Sequence, residues 1–289
     1  VTTDIHTERA GAAAGPPPSG SALAKARQGR VAKGEMSRGV TILWQIGVIV
    51  GVLVLWQLTH VFELGKPIIV QSPALVGERL VELFTGSELW PNLWSTMSAV
   101  VIALALSSIV GIPIGLFLGL LPRTRRVLAP FISALNATPR VALAPVFIIL
   151  FGMDIEGKVA LAFTIVVFIM VLNAQAGATS ADPESLRLML ALGASKFDIV
   201  TKVVLPSAVP SILAGMRLGL IYSMLGVVTS ELIASESGIG QMIARAAGVF
   251  DLSTVYSIVL VMMVIAAALN MLTEMTERRL LKWQPPPQK

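Results

Sequence analysis

From about residue 40 onward the chain alternates long apolar blocks with short polar or charged stretches. Six blocks, at about 40–62, 94–120, 128–151, 158–178, 210–232 and 253–276, are each long enough to cross a bilayer as a helix, which takes about 20 residues. A large soluble core could account for the amount of apolar sequence but not for this clustering. Between the first two blocks lies an amphipathic element. Ser72 suits an N-cap and Pro73 the first helical position. Val76, Leu80, Leu83 and Phe84 then recur at helical spacing before Gly86 stops the helix. With Glu78, Arg79 and Glu82 on its other side, it is predicted to lie on the membrane surface. The pattern predicts an all-α membrane protein built on a six-helix transmembrane bundle.

Composition agrees with the pattern. The 289 residues are 55% apolar and 13% charged, where a soluble domain carries about 25% charged residues. Residues 1–38 are rich in Gly, Ala, Pro and Ser and are predicted to be a disordered tail. No short apolar region with a cleavage site precedes Val40, so targeting is expected to rest on the first uncleaved span. The membrane domain is expected over 39–283, with a short tail over 284–289. Cysteine is absent and the two histidines, His6 and His60, are far apart in the sequence. Disulfides and thiolate chemistry are thereby excluded, and no metal site is expected.

The net charge of +5 changes meaning once the cations are placed by loop. With the N-terminus cytoplasmic, that side holds sixteen: Arg9, Lys25, Arg27, Arg30, Lys33, Arg38, Arg123, Arg125, Arg126, Arg187, Lys196, Lys202, Arg278, Arg279, Lys282 and Lys289. The opposite side holds four: Lys66, Arg79, Lys158 and Arg245. This asymmetry predicts both termini in the cytoplasm. It also explains the basic balance without any nucleic-acid partner.

Glycines recur at four-residue spacing at Gly47 and Gly51, at Gly111, Gly115 and Gly119, and at Gly215 and Gly219. Such stripes let helix backbones approach closely in lipid. They suit packing within one bundle or an interface between subunits. Pro113 is expected to interrupt the second span, and Pro139 and Pro145 the third. Breaks of this kind are tolerated where protein or a wet cavity satisfies the freed backbone, so the bundle is expected to enclose a pathway.

The longest loop between spans, about 180–210, reads as built structure. Asp182 suits an N-cap, with Pro183 and Glu184 in the first turn. Leu186, Met189, Leu190 and Gly193 fall on one face, and Gly193 suits the left-handed position that ends a helix. Ser195 with Asp198 three residues on resembles a capping box, opening a second helix expected to end at Leu205, before Pro206. An apolar face on capped helices needs a partner, either the membrane and bundle ends or a groove on another protein.

Gly193, nine residues, Val203, one residue, then Leu205 and Pro206 resembles the loop signature of ABC-transporter permeases. In that family Glu-Ala-Ala stands three residues before the glycine, where this chain has Arg187, Leu188 and Met189. The acidic anchor is therefore absent, and Glu184 stands three residues too early. Thr138–Gly152 (TPRVALAPVFIILFG), Ser230–Ile243 (SELIASESGIGQMI), Glu277–Trp283 (ERRLLKW) and the element beginning Gln71–Leu75 resemble nitrate/sulfonate/taurine-type permeases. The resemblance covers roughly residues 40–283 and implies the type I ABC importer permease fold in a bacterial inner membrane. It implies that Glu184, Arg187, Leu188, Met189, Gly193, Ala194, Val203, Leu205 and Pro206 couple to a cytoplasmic ATP-binding subunit, which would hold ATP and magnesium. It further implies an extracytoplasmic substrate-binding protein, a second permease copy, and a small cargo such as a sulfonate, taurine, nitrate or a carboxylate.

Four polar residues in or beside spans are candidates for the pathway: Asn136, Arg140, Asn173 and Glu231. Arg140 suits contact with an anionic cargo; pairing within the bundle or reaching back to cytoplasmic water would also account for it. Interhelical hydrogen bonds would also account for Asn136, Asn173 and Gln175. A solvated position at a span end would account for Glu231. Arg217 is expected to snorkel, and Trp283 to anchor at the interface. A P-loop is absent, since Gly157-Lys158 is followed by Val159, so the chain is expected not to be an enzyme and any ATP hydrolysis to lie in a partner. The alternatives are a stand-alone secondary transporter or channel, and a membrane enzyme. The first lacks an evident internal repeat or paired intramembrane acids. The second would need clustered nucleophiles, metal ligands or acid–base pairs, whereas Asp154, Glu156, Glu236 and Asp251 are scattered.

Overall fold

The computed structural model describes residues 37–62 and 71–282, and all regular structure among them is helical. Residues 1–36 of the tail expected to be disordered, together with Trp283 and the tail over 284–289, lie outside the described residues. The described residues fall into two units that divide after Leu58. Helix α1 (Arg38–Val61) supplies the first span and all but its last three residues belong to the first unit.

The second unit opens with α2 (Pro73–Thr85), where the expected caps are found. The Ser72 hydroxyl accepts from the Leu75 amide at 3.2 Å, and the Gly86 amide donates to the Glu82 carbonyl. Val76 is buried, and the Ser257 hydroxyl donates to its carbonyl at 2.9 Å. α2 is thus fastened to the last span, with Leu75, Val81 and Phe84 left exposed.

Three long helices form the core: α3 (Leu89–Leu120), α6 (Ile155–Thr179) and α9 (Leu205–Ile233). Ala99, Val100 and Ala103 of α3 meet Val159 and Ala162 of α6 and Leu220 and Val227 of α9. Further along, Val166, Met170 and Ala174 of α6 meet Ala208 and Ile212 of α9. Lipid gives no hydrophobic drive to bring such helices together, so close backbone approach must do it. The glycine stripe of α3 achieves this within the chain. A Cβ added at Gly111 would stand 2.6 Å from the Met170 Cβ, and one at Gly115 would be 2.7 Å from the Ala174 Cβ. Gly115→Ala is therefore expected to cost about 1–3 kcal/mol through overpacking, read as a lower thermal midpoint in detergent. Gly77→Ala, where an added Cβ meets nothing within 4 Å, should leave the midpoint unchanged or raise it.

The prolines act unequally. α3 runs unbroken through Pro113, contrary to the expected interruption, with α6 packed against Gly111 and Gly115 on either side of it. The third span does break. α4 (Pro122–Ala137) stops at Thr138, whose extended backbone is the conformation that a following proline favours. A 3₁₀ turn (Arg140–Leu143) and α5 (Ala144–Phe151) follow, bent by 71° from α4. Among the described residues, five helices are long and apolar enough to cross a membrane, or six spans if this bent pair counts as one. Arg123, Arg125 and Arg126 stand on α4 itself, since only Leu121 separates it from α3.

The remaining elements are α7 (Pro183–Ala191), α8 (Lys196–Ile199), α10 (Ile239–Gly248) and α11 (Leu252–Leu280). The helix begun at Ser195 does not end at Leu205 as expected. It continues through a π turn, Val200–Val204, directly into α9. Pro206 lacks an amide proton and its ring crowds the preceding turn; the wider π turn accommodates both without breaking the helix. Arg217, expected to snorkel, pairs with Glu277 of α11 at 2.7 Å, joining two spans.

Candidate functional site

Two polar constructions occupy opposite ends of α6. The loop Ser180–Val204 follows its last residue, whereas Lys158 stands in its first turn. At 1.5 Å per residue the two are about 30 Å apart.

The loop is held by its caps. The Asp182 carboxylate accepts from the Glu184 amide at 3.2 Å and the Ser185 amide at 3.0 Å. The Ser185 hydroxyl, with these two amides, holds that carboxyl below the usual carboxylate range. Gly193 adopts φ +73°, its amide donating to the Leu190 carbonyl and that of Ala194 to the Met189 carbonyl. These two bonds form a Schellman ending. Ser195 caps α8, accepting from the Asp198 amide at 3.1 Å, and its hydroxyl donates to the Asp198 carboxylate. Lys202 pairs with Asp198 at 2.6 Å.

One side of this loop is seated. Leu186, Ile199 and Val203 pack against Ala178, Ala181 and Val204. The other side is bare: Leu188 is 61% exposed, Leu192 74% and Phe197 76%. Leu190, expected on the seated face with Leu186, is also exposed. Among the remaining candidates Glu184, Arg187, Gly193 and Leu205 are exposed, and Met189, Ala194 and Pro206 half-buried.

The candidate pathway residues are not gathered into one place. Arg140 lies at the break after α4, donating to the Leu135 carbonyl at 2.9 Å and the Asn136 side chain at 3.4 Å. Its guanidinium stands 4.5 Å over the Phe168 ring of α6, a cation–π contact. Phe168 is thirteen residues into α6, so this contact lies about 20 Å along that helix. Asn173 donates to the Ile169 carbonyl of its own helix at 2.8 Å and rests against Gly215 of α9.

Glu231 belongs elsewhere. It is not solvated at a span end but fully buried, 3.1 Å from the equally buried Lys158, their side chains 0% and 1% exposed. Its carboxylate also accepts from the Thr96 hydroxyl at 2.9 Å and the Gly240 amide at 2.9 Å. Lys158 donates to the Ser237 carbonyl at 2.7 Å and the Ser95 hydroxyl at 2.9 Å. Gly238, at φ +113°, is confined to glycine twice over, since a Cβ there would overlap the Glu231 carboxylate. A pathway role for Glu231 finds no support in this geometry: its oxygens face protein donors.

A helical bundle with a broken span and a capped loop at one end is the architecture of a polytopic membrane protein. Residues 111–282 match the family described as binding-protein-dependent transport system inner membrane component. The chain belongs to that family, as a permease subunit of an ABC importer. It is 30% identical over 253 residues to the taurine transport system permease protein TauC of Escherichia coli, covering 86% of this chain and 91% of that one. The putative aliphatic sulfonates transport permease protein SsuC of Bacillus subtilis is 28% identical, over 81% of this chain and 84% of that one. Among solved structures, the MetNI methionine ABC transporter in inward-facing conformations superposes with a TM-score of 0.59 at 18% identity. That match covers 71% of this chain and 97% of the other, a likeness of fold.

Proposed function

We propose that this chain forms the translocation pathway for a small organic anion of the sulfonate class and couples it to a separate ATPase through residues 182–206. The observation that carries this reading is the rigidly capped loop with one seated side and one bare apolar side. Capping removes the entropy cost of ordering such a loop on binding. Leu188, Leu192 and Phe197 then offer the anchors of a helix-in-groove contact. Arg187, at the position of the missing acidic anchor, would meet an acidic or carbonyl-lined rim on the partner. The ATPase would bind ATP and magnesium, and its closure would move α7 and α8, and through the π turn α9, switching the pathway between faces.

In this reading the loop faces the cytoplasm and the Lys158 end faces outward, both termini lie inside, and a second copy completes the pathway. An extracytoplasmic binding protein delivers the cargo. The sulfonate class is supported by the taurine and sulfonate permeases among the relatives and by Arg140 beside the broken span. Co-expression of the chain with its ATPase, followed by purification through a tag on the chain alone, tests the reading. Stoichiometric recovery of the ATPase is expected, and its absence would count against the docking assignment. For the pathway, Arg140→Gln is expected to lower sulfonate uptake at least tenfold while leaving ATPase recovery intact. Uptake at the wild-type rate would remove Arg140 from the pathway.

A further inference from the structure

The buried pair at the far end of α6 does something that neither spans nor pathway require. Residues 237–240, the end of the turn between α9 and α10 and the first two residues of α10, are each held by a side chain from another element. The Ser237 carbonyl accepts from Lys158 of α6. The Gly238 amide donates to Asn92 of α3 at 2.6 Å. The Ile239 amide donates to the Thr96 hydroxyl of α3 at 2.9 Å, and the Gly240 amide to Glu231 of α9.

Ile239 and Gly240 are the first two residues of α10, whose amides have no partner inside the helix. Gly238, the cap residue, has no side chain to offer them. Capping is therefore delivered from outside, by Thr96 and by a carboxylate placed where the helix dipole favours negative charge. Lys158 neutralises that carboxylate and grips the turn from its other side. Apolar side chains of similar volume could stabilise such a site as well as an ion pair, so stability alone does not account for the ionic arrangement.

We propose that Lys158, Glu231 and Thr96 are positioning residues that clamp the extracytoplasmic turn 235–240, and α10 with it, to the α3–α6–α9 core, so that a push on the outer face by the loaded binding protein reaches the pathway helices without slack. The proposal rests on the orientation and importer reading above. Val249 and Phe250, exposed at the far end of α10, are what such a push would meet.

The test uses the full chain with its ATPase and binding protein in nanodiscs. Lys158→Met/Glu231→Gln removes both charges together and keeps an acceptor for Gly240. Thr96→Val removes a cap without touching charge, and Thr96→Ser restores its hydroxyl. Hydrogen exchange of the peptide 235–241 is expected to rise at least tenfold in the first two variants and to return to the wild-type rate in Thr96→Ser. Exchange in α6 around Val166 to Met170 should stay fixed. Stimulation of ATPase activity by the substrate-loaded binding protein is expected to fall at least fivefold in the loosened variants, with basal ATPase activity unchanged. Unchanged exchange would overturn the clamp, and loosened exchange with full stimulation would overturn its transmitting role. Absence of stimulation in the wild type would instead refute the importer reading, while the exchange data would still decide the clamp.

Discussion

Glu231→Leu is expected to destabilise the 59–289 unit by about 3–5 kcal/mol, the cost of leaving a buried ion without its partner. The ammonium of Lys158 would remain in a site with 1% exposure, its charge uncompensated by the two serine hydroxyls and one carbonyl that surround it. The Gly240 amide would lose its acceptor as well. Lys158→Met is expected to cost a similar amount, because the Glu231 carboxylate then keeps only neutral donors. Since a membrane protein retains stability of roughly the same order as other folded domains, 5–15 kcal/mol, either change alone should visibly lower the yield of monodisperse protein. The Lys158→Met/Glu231→Leu double variant, which leaves no buried charge, should recover much of the loss, so that the two costs fall well short of additivity. Thermal midpoints of the four proteins in one detergent measure this. Full additivity would mean that the two groups do not share one site.

Phe197→Glu should produce the opposite profile: a stable protein that does not work. Phe197 is 76% exposed and stands in the four-residue helix between the Ser195 cap and the π turn, so its replacement is expected to shift stability by no more than about 0.5 kcal/mol. If it anchors the ATPase, removing it and placing a carboxylate in an apolar groove should weaken the complex by at least about 2 kcal/mol, about thirtyfold in affinity. Uptake should then fall in proportion while membrane insertion is normal. Leu192→Glu should behave alike. Leu186→Glu should not, because Leu186 packs on Ala178, Ala181 and Val204 and its loss would loosen the loop itself. Titration of detergent-purified variants with the ATPase, beside their melting curves, separates the two profiles.

Features that depend on neighbouring residues were legible in the sequence. The caps at Ser72, Asp182 and Ser195, the glycine ending at Gly193 and the break before Pro139 all follow from local backbone chemistry, and each is present. The glycine stripe was legible as a packing device, though only the structure shows α6 filling it. Features that depend on distant pairing were not legible. Lys158 and Glu231 are 73 residues apart, and each alone reads as a charge at the end of a span. What could have exposed them is opposite sign at the same predicted membrane face, together with two glycines, Gly238 and Gly240, just beyond the acid. Arg217 and Glu277 hid in the same way. Pro206 misled for a different reason: a proline stops an α-helix by rule, but a π turn ahead of it lets the helix pass.

A motor that lies outside this chain and acts through residues 182–206 is the core of the proposed coupling. It is tested most directly by uptake of a labelled sulfonate into proteoliposomes containing the chain alone, or the chain with its ATPase and binding protein. No uptake is expected from the chain alone, whereas uptake by the full assembly should require ATP and be abolished by Phe197→Glu. Uptake by the isolated chain, driven by an ion gradient or by the cargo gradient itself, would contradict the proposed coupling.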